Sequence, residues 1–434
     1  MFNKIFDVLY GIAHGTLMIF LVTWWILLPI VLSVVFWDTW IFYIRSKYIR
    51  AIKWVLLEIK IPREVLQTPR SMEEIFNSFH AIYSHGFHWT RKYLMGDVEQ
   101  WLSLEFVGMN QGVALYIRTP EAHRNLIESA IYAQYANAEV RKVDDYLDLL
   151  PQVLPNKEFD LFGAELALER EDGYPIKTYP IFEAIEEEKR IDPVSTIVEV
   201  MSKLKDGEFL FSQILISPVG DEWKKSSDAL RDKLLGREDK KKTSGGAASI
   251  FSILSHEIVE FFQNFIIAFN EPPAWTTLNN SGEKKEESTP SVMRLSPGER
   301  EVIEAIEQKS SKLAFKAAIR LLYIDRRASF TRSNVSSMFG AFRHYNTVNL
   351  NALRVNLVTS FSRPVLFKSR KLHFRKRTLF DYYRLRRLPL KMSIFNTEEL
   401  ATMYHPPIVG VEAPKLTRLA AKKGEPPAEL PISD

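Results

Sequence analysis

Trp101-Leu-Ser-Leu-Glu-Phe-Val107 and Val113-Ala-Leu-Tyr-Ile-Arg118 have the alternation and composition of strands and flank a turn at Gly112, which predicts a β-hairpin. Pro120 takes the first position of a helix carrying Leu126, Ile127, Ile131 and Tyr132, and Ala138 to Val143 returns as a strand. That order is half of a ferredoxin-like split βαβ unit. Further strands are expected at Leu161 to Leu168, Ile176 to Tyr179 and Phe209 to Ile216. Helices are expected from Asp192-Pro193 to about Leu204 and from Asp221 to Leu235. Strands interleaved with helices make residues 97–236 an α+β domain.

Toward the N-terminus, Val8 to Trp37 is thirty residues without a formal charge. As a helix it would be about 45 Å long against a hydrocarbon core of about 30 Å, enough for one tilted transmembrane span and too short for two. It is longer than the apolar core of a signal peptide and shows no small-residue cleavage site, so it is expected to stay attached. Lys4 precedes the span, whereas Arg45, Lys47, Arg50 and Lys53 follow it, so the positive flank predicts a cytoplasmic bulk. Those four cations are the expected membrane-surface contacts. Trp40 to Ile59 places Ile41, Ile44, Tyr48, Ile52, Val55 and Ile59 at helical spacing. This predicts a basic amphipathic helix that either lies on an anionic leaflet or extends the span with snorkelling cations. Residues 1–60 thus read as anchor and juxtamembrane helix, and 61–96 as a helical connector. In it Ser71-Met-Glu-Glu74 is a capping box opening a helix to about His85.

Toward the C-terminus, 237–294 holds two polar, low-complexity linkers flanking an apolar-striped helix at 250–269. The Glu257 and Glu260 carboxylates argue against a second span there. A second α+β domain is expected over 295–405, opened by the cap Ser296-Pro-Gly-Glu299, with a strand at Phe315 to Ile324 and a helix at Ser333 to His344. Its strand-then-helix order echoes the first domain as a related half-unit. Inside it, 363–391 is a basic arm with Arg363, Lys368, Arg370, Lys371, Arg375, Lys376, Arg377, Arg384, Arg386, Arg387 and Lys391 against the single acid Asp381. Phe367, Phe374, Phe380, Tyr382 and Tyr383 interleave with the cations. Such a mixture suits a groove that tracks phosphates and stacks bases, an anionic bilayer, or a solvated loop whose rings pack inward. The candidate contacts are Arg370, Lys371, Arg375, Lys376, Arg377, Arg384, Arg386 and Arg387. Residues 406–434 form a Pro-rich tail.

Chemistry is harder to find. The chain of 434 residues, 46% hydrophobic and 25% charged, can bury two or three ordinary cores, and its net charge of +4 names no partner. The absence of cysteine excludes disulfides, thiolate metal sites and cysteine nucleophiles. No P-loop, G-x-S-x-G, H-E-x-x-H or G-x-G-x-x-G is present, and no cofactor is called for. His80, His85 and His88 cluster without a matching carboxylate and read as structural. The triplet Glu186 to Glu188 reads as a solvated helix face.

Several segments in combination carry a resemblance: the anchor, Trp54 to Arg70, Tyr174-Pro-Ile-Lys-Thr-Tyr-Pro180 with Arg190-Ile-Asp-Pro193, Gln213 to Lys224, Asn396 to Pro407, and Ala421 to Pro431. Together they resemble the N-terminal half of membrane-anchored bacterial ATPases of type IV secretion and conjugative transfer, related to HerA and FtsK type motors. The resemblance implies a single-pass protein of the bacterial inner membrane. Its tail would lead into a nucleotide-binding motor, whose Walker motifs this sequence lacks, so no catalytic residue carries over. The expected function is a non-catalytic subunit that docks a separate P-loop ATPase and contacts nucleic acid through the basic arm. The alternative is a membrane-surface scaffold binding anionic lipid. An enzyme with an unfamiliar pocket is the third class.

Overall fold

A computed structural model describes residues 2–61, 67–84, 86, 88–110, 112–183, 192–235, 295–331, 333–359 and 367–407. The first helix, α1 (Phe2–Ala51), is described in its side chains at Trp24, Trp25 and from Leu28 onward. The expected helix at 250–269, its two linkers, Arg363 and all but the first two residues of the Pro-rich tail lie outside the described residues. The segment Leu28–Ala51 is long and apolar enough to cross a membrane, with a mean hydropathy of 1.4. Trp25, Ile30, Leu32, Phe36 and Phe42 all stand exposed on it.

The protein is mixed α/β, built on one antiparallel sheet. Its elements after α1 are β1 (Trp54–Lys60), α2 (Pro69–Phe79), β2 (Leu102–Met109), β3 (Gly112–Pro120), α3 (Arg124–Gln134), β4 (Glu139–Val143), β5 (Phe159–Leu168), α4 (Tyr179–Glu183), α5 (Pro193–Ser202), β6 (Phe209–Val219) and α6 (Glu222–Leu234). They continue with α7 (Pro297–Ser310), β7 (Ala314–Arg326), α8 (Ser333–Phe342), β8 (Leu353–Val358), α9 (Lys368–Arg384), β9 (Ser393–Asn396) and α10 (Thr397–Met403). The strand order is β4-β1-β3-β2-β6-β7-β5-β8, with β9 also pairing β7.

This order is the same motif twice. β1, β2, β3 and β4 lie as 4-1-3-2 with α2 and α3 in the crossovers, and β5, β6, β7 and β8 repeat the arrangement with α5 and α8. The two halves meet where β2 pairs antiparallel with β6, from Leu102↔Ile216 to Gly108↔Leu210. The division into domains 97–236 and 295–405 therefore changes. The repeating halves are 54–143 and 159–358, and they share one sheet. An isolated half would leave β2 or β6 as a bare edge of unpaired N–H and C=O groups, and joining them removes both edges. β6 is accordingly buried along nearly all its length.

Three further expectations are corrected. The juxtamembrane helix to Ile59 ends at Ala51, and Trp54–Lys60 is instead a sheet strand with Val55, Leu57 and Ile59 on one face and Leu56 on the other. Over so short an apolar run the helical and extended periods coincide in part, and the alternation decides. The connector helix starts at Pro69 behind Thr68, not at Ser71, and belongs to the first half-unit. The strand expected at Ile176 to Tyr179 is irregular and runs into α4.

One sheet face carries α2, α3, α5, α8 and α10 over a core that includes Phe76, Phe106, Ile127, Val198, Ile319 and Phe342. The other face is covered by α9 and a 3₁₀ turn at Tyr146–Leu149, with Leu56, Phe211, Leu322, Phe380 and Tyr383 between them. A separate contact unit, 228–303, holds among its described residues the end of α6, where Arg231 pairs with Asp228 (3.2 Å) and Asp232 (2.9 Å).

At Gly163 on β5 the α9 helix packs directly on the backbone, since a Cβ there would collide with Cδ2 of Leu379. Gly163→Ala should lower stability by about 1–3 kcal/mol. Leu379→Ala in the same chain should return part of that loss, as a coupling in a double-mutant cycle of urea unfolding. Strictly additive losses would contradict the packing of α9 on β5.

Candidate functional site

The alternation of β2 turns Leu102, Leu104 and Phe106 toward one core and leaves Ser103 and Glu105 on the face beneath α9. Glu105 is fully buried, and a lone carboxylate there would be expensive to desolvate. It is one rung of a polar ladder of directly opposed residues that crosses seven strands: Arg141, Glu58, Tyr116, Glu105, Gln213, Arg320 and Glu165. Gln213 Nε2 donates to Glu105 (3.0 Å) and to the Tyr383 carbonyl (3.2 Å). Arg320 Nη1 reaches Gln213 Oε1 (3.4 Å) and the Tyr382 carbonyl (3.2 Å), and its Nη2 lies 3.8 Å from Glu165.

Arg386 closes the site from above. Its guanidinium grips Glu105 in a fork, Nε to Oε1 at 2.9 Å and Nη2 to Oε2 at 3.1 Å, and it also pairs with Asp145. Ser103 (2.5 Å) and Tyr146 (2.8 Å) donate to the same carboxylate, and the Tyr146 and Tyr383 hydroxyls lie 2.6 Å apart. Burial by itself would raise the Glu105 pKa. The charge and hydrogen bonds of Arg386, with Ser103 and Tyr146, outweigh burial and hold it at about 2. Burial and the Glu58 and Glu105 charges push Tyr116 up to about 12, and burial followed by the nearby Arg386 brings Arg118 down to about 10.

Local backbone chemistry puts Arg386 there. α9 ends with Leu385 as its cap, and Arg386 follows in the left-handed region at φ 47°. Its N–H bonds the Tyr383 carbonyl and the Arg387 N–H bonds that of Tyr382, the paired closure usually built on glycine. A side chain in that conformation costs about 1–3 kcal/mol, and the fork to Glu105 holds it in place.

The basic arm is therefore a helix with two destinies. Leu379, Phe380 and Tyr383 face the sheet. Arg386 is buried, which corrects its expected place among the anionic contacts. Lys376 pairs with Asp160 (2.7 Å) and Arg384 donates to the Gln152 carbonyl (3.0 Å), so both are drawn inward. Arg375 and Lys371 are half-buried, and Arg375 has a partner. Lys368, Arg370, Arg377, Arg387 and Lys391 remain exposed with Phe374, which is 67% accessible, and Arg370, Phe374 and Arg377 recur at i, i+4 and i+7. No acid lies in the first turn of α9, and Phe367 at its cap, 65% accessible and at φ 57°, offers no side-chain acceptor. Cations gathered at the positive end of a helix repel its dipole and leave a field that favours an anion. This exposed face is the candidate functional surface. Near the C-terminal end of α1 and just past it, Lys47, Arg50 and Lys53 are exposed, whereas Arg45 is half-buried with its Nε lacking a partner among the described residues.

A second polar knot gathers segments that carry the resemblance. The Ile176 N–H bonds Glu399 Oε1 (2.9 Å), the Tyr179 N–H bonds Thr402 Oγ1 (2.9 Å), and His405 meets Asp192 (3.1 Å). Lys309, wholly buried, pairs with Glu399 (3.0 Å) and donates to the Ile394 carbonyl (3.0 Å). Beside it is a cavity of about 110 Å³ lined by Ile176, Thr178, Gln308, Lys309, Asn396 and Glu398 among others. Sequence reasoning found these segments without their contacts. His80 Nε2 donates to the Val219 carbonyl (3.1 Å), exposed His88 meets Thr90, and His85 lies outside the described residues. Among the described residues no group of three His, Asp or Glu is placed to hold a metal.

Arg386→Ala should destabilise the protein by about 3–5 kcal/mol, because Glu105 is left charged and unpaired. The sign of the pH effect follows from Glu105, whose pKa falls from 4.5 to about 2 on folding. Its stabilisation is complete above pH 4.5 and disappears as pH falls toward 2. The stability gap between the parent and Glu105→Gln, about 3 kcal/mol at neutral pH, should therefore close across that window in urea titrations. A gap that ignores pH would remove the carboxylate charge from the account.

No curated protein matches the chain. A family match covers residues 50–408, from the end of α1 to just past α10, and so takes in the whole sheet and both polar knots. By that match the chain belongs to the family described as Domain of unknown function (DUF8128).

Proposed function

We propose that the protein is a membrane-anchored, non-catalytic subunit of a transfer machine, which presents the exposed face of α9 to nucleic acid. The observation that carries this reading is the cationic, uncapped start of α9, with Phe367 and Phe374 standing out between Lys368, Arg370 and Arg377. Phosphates would neutralise charges that the helix dipole otherwise opposes, and the rings offer stacking platforms. Each half-sheet, read as a ferredoxin-like split βαβ unit, acts as a rigid mount for this helix. The buried acids and bases of the ladder are spent on one another, which supports a structural and not a chemical role for them.

The resemblance to type IV secretion and conjugation ATPases supports two further parts of the reading. One is a single span in a bacterial inner membrane with the sheet on the cytoplasmic side. The other is a separate P-loop ATPase as the docked partner. Exposed Lys47, Arg50 and Lys53 just after the apolar helix agree with that orientation.

The test is binding of the full chain to nucleic acid across a salt series. Affinity should be independent of sequence and its logarithm should fall linearly with that of salt. Lys368→Gln, Arg370→Gln and Arg377→Gln together should flatten the slope by about 2 to 3, the counterions released by three phosphates. An unchanged slope would move the contact away from α9. Loss of retention on anionic vesicles, with nucleic acid unaffected, would replace this reading by the lipid scaffold.

A further inference from the structure

Residues 89–95 are not part of the sheet, the ladder or the basic helix, yet they are held in a defined place. Arg91–Met95 forms a single π-helical turn, closed by Gly96 at φ 78°. A Cβ on Gly96 would strike the Ile44 backbone, so only glycine lets the turn lie against α1. Tyr93 stacks on Trp37 with ring centroids 5.8 Å apart, and its carbonyl accepts a hydrogen bond from Trp40 Nε1 at 3.2 Å. Trp89 packs against Tyr93 with ring centroids 6.0 Å apart. This anchoring leaves large apolar groups outside: Trp89 is 58% exposed, Leu94 57% and Met95 63%. Arg91 and Lys92, also exposed, flank them, with Arg91 3.3 Å from Asp97.

The level of the turn along α1 identifies what covers it. Trp37 closes the charge-free run of the helix, and Arg45 is the first cation beyond. Between them the helix rises about 12 Å, enough to cross the headgroup zone of one leaflet, which is about 5–8 Å deep. The turn meets α1 within that interval. Trp89 joins through Tyr93 to exposed Trp37 and Trp40, and Trp40 continues to Tyr43 at 6.4 Å, so the medium around α1 is also the medium around the turn. Trp and Tyr at the edge of a bilayer, with Arg and Lys reaching to anionic headgroups, is the composition of a membrane-interface belt.

We infer that the π-helical turn carrying Trp89, Leu94 and Met95 is a second membrane-contacting element, which inserts at the headgroup level and sets the depth of α1. This rests on the reading of α1 as a membrane span, so the test must separate the two. The chain has no cysteine, so Leu94→Cys and Leu28→Cys each supply a unique attachment point for an environment-sensitive fluorophore. Both full-length variants are reconstituted into vesicles containing anionic lipid. Nitroxide lipids then quench either at the headgroup or at the middle of the acyl chain. The label at position 28 should be quenched most from the acyl-chain middle. At position 94 it should shift to the blue and be quenched most from the headgroup. Position 28 quenched and position 94 with a water-like, unquenched emission overturns the inference and leaves the span standing. Stronger mid-chain quenching at position 94 also overturns it. No quenching at position 28 overturns the span, and the interfacial turn falls with it.

Discussion

A fully buried carboxylate at the centre of the sheet constrains everything on that side of the molecule. Glu105 occupies the second strand of the first half-unit, opposite Gln213 of the second. It lies where the two halves join, and no solvent reaches it. The guanidinium that grips it comes from outside the sheet, from just past the C-terminal end of α9. The long helix is therefore not a loose appendage. Releasing it would expose Phe380 and Tyr383 and leave Glu105 charged without a partner, two losses that reinforce one another. In the second half the corresponding position is neutral Gln213, whose amide links Glu105 to Arg320 and to the α9 backbone. One clamp thus serves both halves.

The doubled topology also explains how so long an insertion is tolerated. In the first half, β2 and β3 are joined by a tight turn, with Met109 opposite Gly112. In the second, residues 220–313 intervene between the equivalent strands, yet Val219 still lies opposite Ala314. Closing a longer loop costs only about 0.6 kcal/mol for each doubling of its length. Eleven residue pairs of buried β6 and β7 offset that entropy readily. Contact order rises and folding slows, but the native pairing is not weakened in proportion.

What could be read from the sequence followed local periodicity. The hairpin at 101–118, the strands at 159–168, 209–219 and 314–326, and the helices at 193–202 and 333–342 all announce themselves by alternation or by a cap. Two things did not. Trp54–Lys60 follows a continuous helix so closely that its alternation was absorbed into the helical period, and with it went the first strand of the first half-unit. The division into two domains then followed the low-complexity segment, because β2–β6 pairing is non-local and leaves no mark in either strand. At the site, a run of cations does not say which one faces inward. The signal was present, though: Tyr383 and Arg386 follow Phe380 at three-residue spacing, and an acid inside Leu-Ser-Leu-Glu-Phe calls for a buried partner somewhere in the chain.

The junction between anchor and sheet ties the two ends of the proposed function together. Only Ile52 and Lys53 separate α1 from β1, and the Lys53 carbonyl is fixed by the Glu121 N–H at 2.8 Å. Trp54 stacks on Trp101 at 5.0 Å and carries the Arg118 guanidinium over its ring at 4.3 Å. Trp101 in turn donates from Nε1 to the Arg386 carbonyl at 3.0 Å, and Ile49, Leu388 and Met392 pack around the same pair of rings. The end of α1 and the segment that clamps α9 are thus in one packed cluster. A flexible tether would let the cationic face sample every orientation. A two-residue link stapled by two tryptophans gives it a fixed bearing to α1, so an anionic ligand on α9 would be held at a set distance and angle from the bilayer. For a subunit proposed to guide nucleic acid at a membrane, that bearing is worth more than the strength of any one phosphate contact, because orientation is what a weak, sequence-independent surface lacks.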